Sequence, residues 1–101
     1  MSAPKIYEAT LGRNGAVVCG AELTEPEAVV QRQLGYDIVV CGPSLAANRR
    51  LAGLIEQQAN GIAKRCPPHA NSGKNALPHY QPATRPPMGH TFYETGNRQA
   101  F

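Results

Sequence analysis

Six of the nine prolines in this 101-residue chain lie between Pro67 and Pro87. Proline removes a backbone donor and its ring clashes with the preceding helical turn, so no long helix can run through that stretch. The chain from Arg65 to Glu94 must therefore consist of short extended pieces and constrained turns, and regular helix is confined to what precedes it. The same third holds all three histidines, His69, His79 and His90.

Two similar runs organise the first half, Gly15-Ala16-Val17-Val18-Cys19-Gly20 and Asp37-Ile38-Val39-Val40-Cys41-Gly42. β-Branched runs closed by glycine predict strands buried on both faces. Thr24-Glu25-Pro26-Glu27 has capping-box spacing with proline in the first turn, which predicts a helix from about Glu25 to Leu34, ended by Gly35 and with Ala28, Val29 and Leu34 as its apolar side. Ser44 is a good N-cap for a second helix. Its stripe would be Leu45, Ala47, Leu51, Leu54, Ile55, Gln58 and Ile62, with Asn48, Arg49, Glu56 and Gln57 on the opposite face and a stop at Asn60-Gly61. Ala76 to Gln81 and His90 to Glu94 remain as short strands, able to pair as a hairpin.

The length leaves room for one domain, residues 1–101. Residues 1–64 form a strand-helix-strand-helix half, residues 65–94 a Pro/His-rich hairpin region, and residues 95–101 a tail. The expected class is α/β (α+β), with a small four-stranded mixed or antiparallel sheet and two helices packed on it.

The formal charge of +3 favours anionic partners, but the ten basic residues are scattered and form no tract. Three widely spaced cysteines do not suggest a disulfide framework, and a reducing, cytoplasmic compartment fits them better. Cys19 and Cys41 end apolar strands and are expected to be small buried hydrophobes; Cys41, just before a helix, is also a conceivable nucleophile. No apolar run approaches the ~18 residues of a spanning helix, and no secretion signal precedes the domain, so no membrane partner is expected.

The chemistry concentrates on histidine, whose ordinary pKa of about 6.5 suits proton transfer near neutrality. If the last two strands pair, His79 and His90 converge on one edge of the sheet, with Lys74 and Arg85 on flanking loops. Metal-free RNA cleavage needs such a set: a base for the 2′-hydroxyl, an acid for the leaving 5′-oxygen and a cation for the phosphate. Strand alternation places His90, Phe92 and Glu94 on one face and Thr91 and Tyr93 on the other, so His90 must sit at the rim if Phe92 is core. His69, Asn48, Arg49, Tyr80 and Tyr93 are candidate substrate contacts. The competing reading of the histidines is hydrogen-bonded strand residues with no catalytic role. A metal site is another, since two residues separate Cys66 from His69, and His79 and His90 could complete a tetrahedron. It lacks a second tight ligand pair and any Asp or Glu between Arg65 and His90, so neither metal nor other cofactor is expected.

The stretch Asn75-Ala76-Leu77-Pro78-His79-Tyr80-Gln81-Pro82, followed by Gly89-His90-Thr91-Phe92-Tyr93, resembles the closing segment of C-terminal toxin domains of bacterial polymorphic toxin systems, of the contact-dependent inhibition and Rhs types. The likeness covers about 20 residues. It implies a ribonuclease with His79 and His90 as the catalytic pair beside Tyr80 and Tyr93, a cognate immunity protein as partner, and delivery into a target cell. Two other functions stay open. One is a non-catalytic module docking a protein through the Pro-rich third. The other is an NAD-directed hydrolase or ADP-ribosyl transferase, which would want a carboxylate near the histidines; Glu94 is the nearest in sequence, with Glu22, Glu25 and Glu56 reachable only by folding.

Overall fold

The computed structural model describes residues 4–11, 17–61, 63–66, 77–82 and 89–94. The elements run β1 (Lys5–Leu11), β2 (Val17–Leu23), α1 (Glu25–Gln33), β3 (Ile38–Cys41), α2 (Leu45–Asn60), β4 (Ala63–Cys66), β5 (His79–Pro82) and β6 (Thr91–Tyr93). Both helices begin where the capping logic puts them. Thr24 Oγ1 accepts from Glu27 N while Glu27 Oε1 accepts from Thr24 N, closing a capping box that holds the exposed Glu27 carboxyl below its usual range. Ser44 Oγ accepts from Ala47 N, and Gly35 and Gly61, both at positive φ, end the two helices.

Six strands form one mixed sheet in the order β2-β1-β3-β6-β5-β4, two more than expected. β1 is antiparallel to both β2 and β3, β3 is parallel to β6, and β5 is antiparallel to β6 and β4. The α+β class with two helices stands. The added strands are β1 and β4, and each hides its signal for a physical reason. In β1 neither face is uniformly apolar: Ile6 is buried on the helix side and Ala9, three residues on and so on the other face, is buried in the opposite cluster, which leaves no alternating apolar pattern to read. β4 is a charged edge strand, Ala-Lys-Arg-Cys, extended because it pairs with β5. β2 is the other edge, which explains why Val17 is buried but Val18 is 45% exposed, against the expectation of a strand covered on both sides. Only β3 meets that expectation, with Ile38, Val39 and Val40 all fully buried.

Both helices lie on one face of the sheet. Ile6, Ile38, Val40 and Tyr93 pack there against Ala28 of α1 and Ala52 and Ile55 of α2. The opposite face carries a second cluster of Ala9, Val17, Val39, Leu77 and Phe92, with Tyr7, Cys19 and Cys41 against it. Cys19 and Cys41 are thus half-buried thiols, their sulfurs 3.8 Å apart.

The helix faces differ from the periodicity reading. The inward side of α2 is Asn48, Ala52, Ile55 and Glu56, while Leu45 and Leu54 are 45% and 44% exposed. In α1, Ala28 and Arg32 point inward and Leu34 is exposed. The cause is an ion pair in the helix interface. Arg32 Nε donates to Glu56 Oε1 at 2.8 Å, both side chains being fully buried. Thr91 Oγ1 on β6 also donates to Glu56 Oε1, Asn60 Nδ2 donates to Glu56 Oε2, and Arg32 Nη1 donates to the carbonyl of Tyr36. A sequence count of apolar spacing places Arg and Glu outside; here each neutralises the other, and Thr91, Asn60 and the Tyr36 carbonyl add hydrogen bonds to the pair.

Removing one member leaves an uncompensated buried charge. Arg32→Met or Glu56→Gln should each lower unfolding free energy by about 3–5 kcal/mol, and the Arg32→Met/Glu56→Leu double replacement should recover much of the loss. Urea unfolding followed by circular dichroism measures both.

Candidate active site

The pairing of β5 with β6 sets His79 opposite Phe92 and Tyr80 opposite Thr91. His90 precedes β6 by one residue, so alternation puts its ring on the same face as Phe92 and His79. The ring centroids of His79 and His90 are 4.6 Å apart in an edge-on arrangement, and both rings contact Phe92, at 5.4 and 5.2 Å. The two imidazoles meet, but in the middle of the sheet, not at its edge, because β3 and β4 flank the β6–β5 pair. Phe92 is buried and His90 sits at the rim with its side chain 20% exposed, whereas His79 is only 1% exposed.

A third group completes the arrangement. Asp37 immediately precedes β3, and the parallel β3–β6 pairing, extended by Ile38 N donating to the carbonyl of His90, brings it alongside. Asp37 Oδ1 accepts from His90 N at 2.7 Å and lies 3.2 Å from His90 Nδ1, with the carboxylate 22% exposed. This is the geometry in which a carboxylate holds a histidine ring in one orientation and leaves Nε2 for proton exchange. Asp37 is the member of this candidate site that sequence reasoning misses. Its signal is a lone acid at the mouth of the most apolar strand, 53 residues from His90 and so invisible to local spacing. The carboxylate near the histidines is therefore Asp37; Glu94 instead places Oε2 3.9 Å from Cys41 Sγ.

Asp37 also lines an open cleft of about 410 Å³ together with Glu8, Thr10, Gln31 and the exposed Tyr36. What holds Asp37 and His90 there is the buried ion pair. Arg32 Nη1 binds the carbonyl just before Asp37, and Gly89, just before His90, lies against the same guanidinium at φ +93°.

The other site candidates separate from this pair. Lys74, Arg85 and His69 lie outside the described residues, as does the side chain of Cys66. Tyr80, Tyr93, Asn48 and Arg49 stand on the helix side of the sheet, so they do not flank the histidines as expected. Asn48 is buried and donates from Nδ2 to the carbonyls of Gly42 and Glu94, tying α2 to the ends of β3 and β6 instead of contacting substrate. Tyr93 is core, 5.8 Å from Tyr80; burial pushes its phenol up, Tyr80 adds to that, and Arg65 and Arg49 partly oppose it. Among the described residues no group of three His, Cys, Asp or Glu side chains is placed to hold a metal, and no helix is long and apolar enough to cross a membrane.

Compared with models of protein families, with curated proteins and with solved structures, the chain has no match in any of the three.

A Cβ at position 89 would meet Arg32 Nη1 and lie 2.6 Å from the carbonyl oxygen of Gly35, at a φ that L side chains rarely adopt. Gly89→Ala should cost about 1–3 kcal/mol in thermal unfolding and shift the NMR resonances of the His90 imidazole, because the backbone that carries it must move.

Proposed function

We propose that this domain is a metal-independent endoribonuclease of the bacterial toxin type, with His90 as the imidazole that meets the substrate. The observation that carries the reading is the contact of two imidazoles, 4.6 Å apart, one of them bound through Nδ1 to a carboxylate beside an open cleft. In the reaction a base takes the 2′-hydroxyl proton, the 2′-oxygen attacks phosphorus, and the 5′-oxygen leaves with a proton from an acid. The products are a 2′,3′-cyclic phosphate and a 5′-hydroxyl. His90, oriented by Asp37, takes or gives the proton at the rim. His79 is the inner imidazole packed edge-on behind it, and Lys74 or Arg85 would supply the cation for the phosphate. The likeness of the closing segment to polymorphic toxin domains supports the same reading and brings a cognate immunity protein and a cytoplasmic site of action with it.

A second reading has its own support. The cleft that Asp37 lines carries a second carboxylate, Glu8, and an exposed tyrosine, Tyr36. Carboxylates repel a phosphodiester but orient a ribose or support an oxocarbenium ion, as an NAD-directed hydrolase or ADP-ribosyl transferase requires.

Purified protein incubated with total RNA should release cyclic-phosphate ends. His90→Ala should lower that rate by about a hundredfold to ten-thousandfold. His79→Phe, which keeps an aromatic ring in the core but removes the titratable nitrogens, should lower it, with circular dichroism verifying the fold. A folded His90→Ala protein that cleaves RNA at the parent rate would end the proposal, and consumption of NAD with RNA left intact would transfer it to the second reading.

A further inference from the structure

On the helix side of the sheet, away from the histidines, the structure assembles a surface that the proposed chemistry does not use. Arg65 on β4 is the direct cross-strand partner of Tyr80 on β5, so the two side chains share a face. The Tyr80 ring lies over α2 at Gly53, where a Cβ would stand 3.0 Å from Cζ and 3.2 Å from the hydroxyl. Glycine inside a helix costs about 1 kcal/mol relative to alanine, and close approach of this ring gives it a reason to be there. Beside the ring opens a cleft of about 460 Å³ lined by Arg50, Gly53, Leu54, Gln57 and Tyr80. Arg49 is near enough, with Arg65, to act on the Tyr93 phenol.

The charge around this cleft is one-sided. Arg49, Arg50 and Arg65 are exposed, and none forms an ion pair among the described residues. All seven acidic residues of the chain are described and lie elsewhere or are engaged. Glu56 is neutralised by Arg32 in the core, Asp37 binds His90, Glu94 lies by Cys41, and Glu8, Glu22, Glu25 and Glu27 belong to β1, β2 and α1. Uncompensated guanidinium groups beside a half-exposed aromatic ring match a phosphate chain with an unstacked base: arginine takes the phosphates and the ring takes the base face.

We propose that the cleft between α2 and β5 is a single-stranded RNA-binding site, with a base seated on Tyr80 and flanking phosphates on Arg50, Arg65 and Arg49. It extends the ribonuclease reading, because it holds substrate on the face opposite the histidines and shares no residue with them.

The test is fluorescence anisotropy of a labelled single-stranded RNA of about ten nucleotides, titrated into the His90→Ala protein so that the probe stays uncut. Arg50→Ala/Arg65→Ala, surface changes that keep the fold, should weaken binding and reduce the slope of log affinity against log salt by about 0.7 for each phosphate no longer neutralised. Tyr80→Ala should weaken it by about tenfold, with circular dichroism verifying the fold. Affinity and salt slope unchanged in the arginine variant overturn the proposal, and so does an equal affinity for the duplex of the same sequence. Tighter capture of a polyglutamate peptide than of the RNA assigns the surface to an acidic protein and overturns it too. RNA binding that depends on these residues, in a protein whose parent form never cleaves RNA, sinks the ribonuclease reading and leaves this site standing. Cleavage by the parent protein with binding indifferent to them sinks this site alone.

Discussion

The buried pair of Arg32 and Glu56 holds this molecule in register. It joins the two helices across their interface, and through Thr91 and the carbonyl of Tyr36 it reaches β6 and the approach to β3. A charge pair in a core is a poor source of net stability, because desolvating two ions offsets most of their attraction. Its value here is geometric. A guanidinium has five donors in a fixed plane, and satisfying them determines where the neighbouring backbone must lie. The segments it positions are the ones that carry Asp37 and His90.

The parallel contact between β3 and β6 turns that positioning into a site. Parallel neighbours are joined only by long connections, so this pairing brings together residues far apart in sequence. Asp37 and His90 meet through it, and the antiparallel β5 then adds His79 on the same face. The small residues that fill the helix interface, Ala28 and Ala52, let the helices approach closely enough for the ion pair to close. Core composition, ion pair and site geometry are thus consequences of one arrangement.

The sheet also divides the chemistry. Alternation along β5 sends His79 to one face and Tyr80 to the other, and the same holds for Phe92 and Tyr93 along β6. One side presents imidazoles and carboxylates, the other a tyrosine among arginines. A chain with +3 net charge and no basic tract can still present a basic face, because folding removes Glu56 from the surface and gathers the other carboxylates away from Arg49, Arg50 and Arg65.

Local rules made the first half readable. Capping at Thr24 and Ser44, glycine stops at Gly35 and Gly61, and the continuous apolar run at Ile38 to Val40 are short-range features, and elements governed by such features stood where the residues put them. The face assignment along β6, with His90 and Phe92 opposite Thr91 and Tyr93, is equally local and also stood. Elements whose existence depends on a partner were out of reach. β4 is charged and extended only beside β5, and β1 buries Ile6 on one face and Ala9 on the other only because elements packed on both sides of the sheet cover them. Sequence alone therefore determined where the helices begin and end, that the run from Ile38 to Val40 is a strand buried on both faces, and that His79 and His90 belong to an extended region. Tertiary structure decided that Asp37 is the carboxylate at His90, that Arg32, Asn48 and Glu56 are interior, and that Tyr80 and Tyr93 stand apart from His79 and His90 on opposite faces. The physical reason is range. Hydrogen-bond capping and strand alternation act over a few residues, whereas burying a charge or pairing parallel strands requires a partner that only the folded chain supplies.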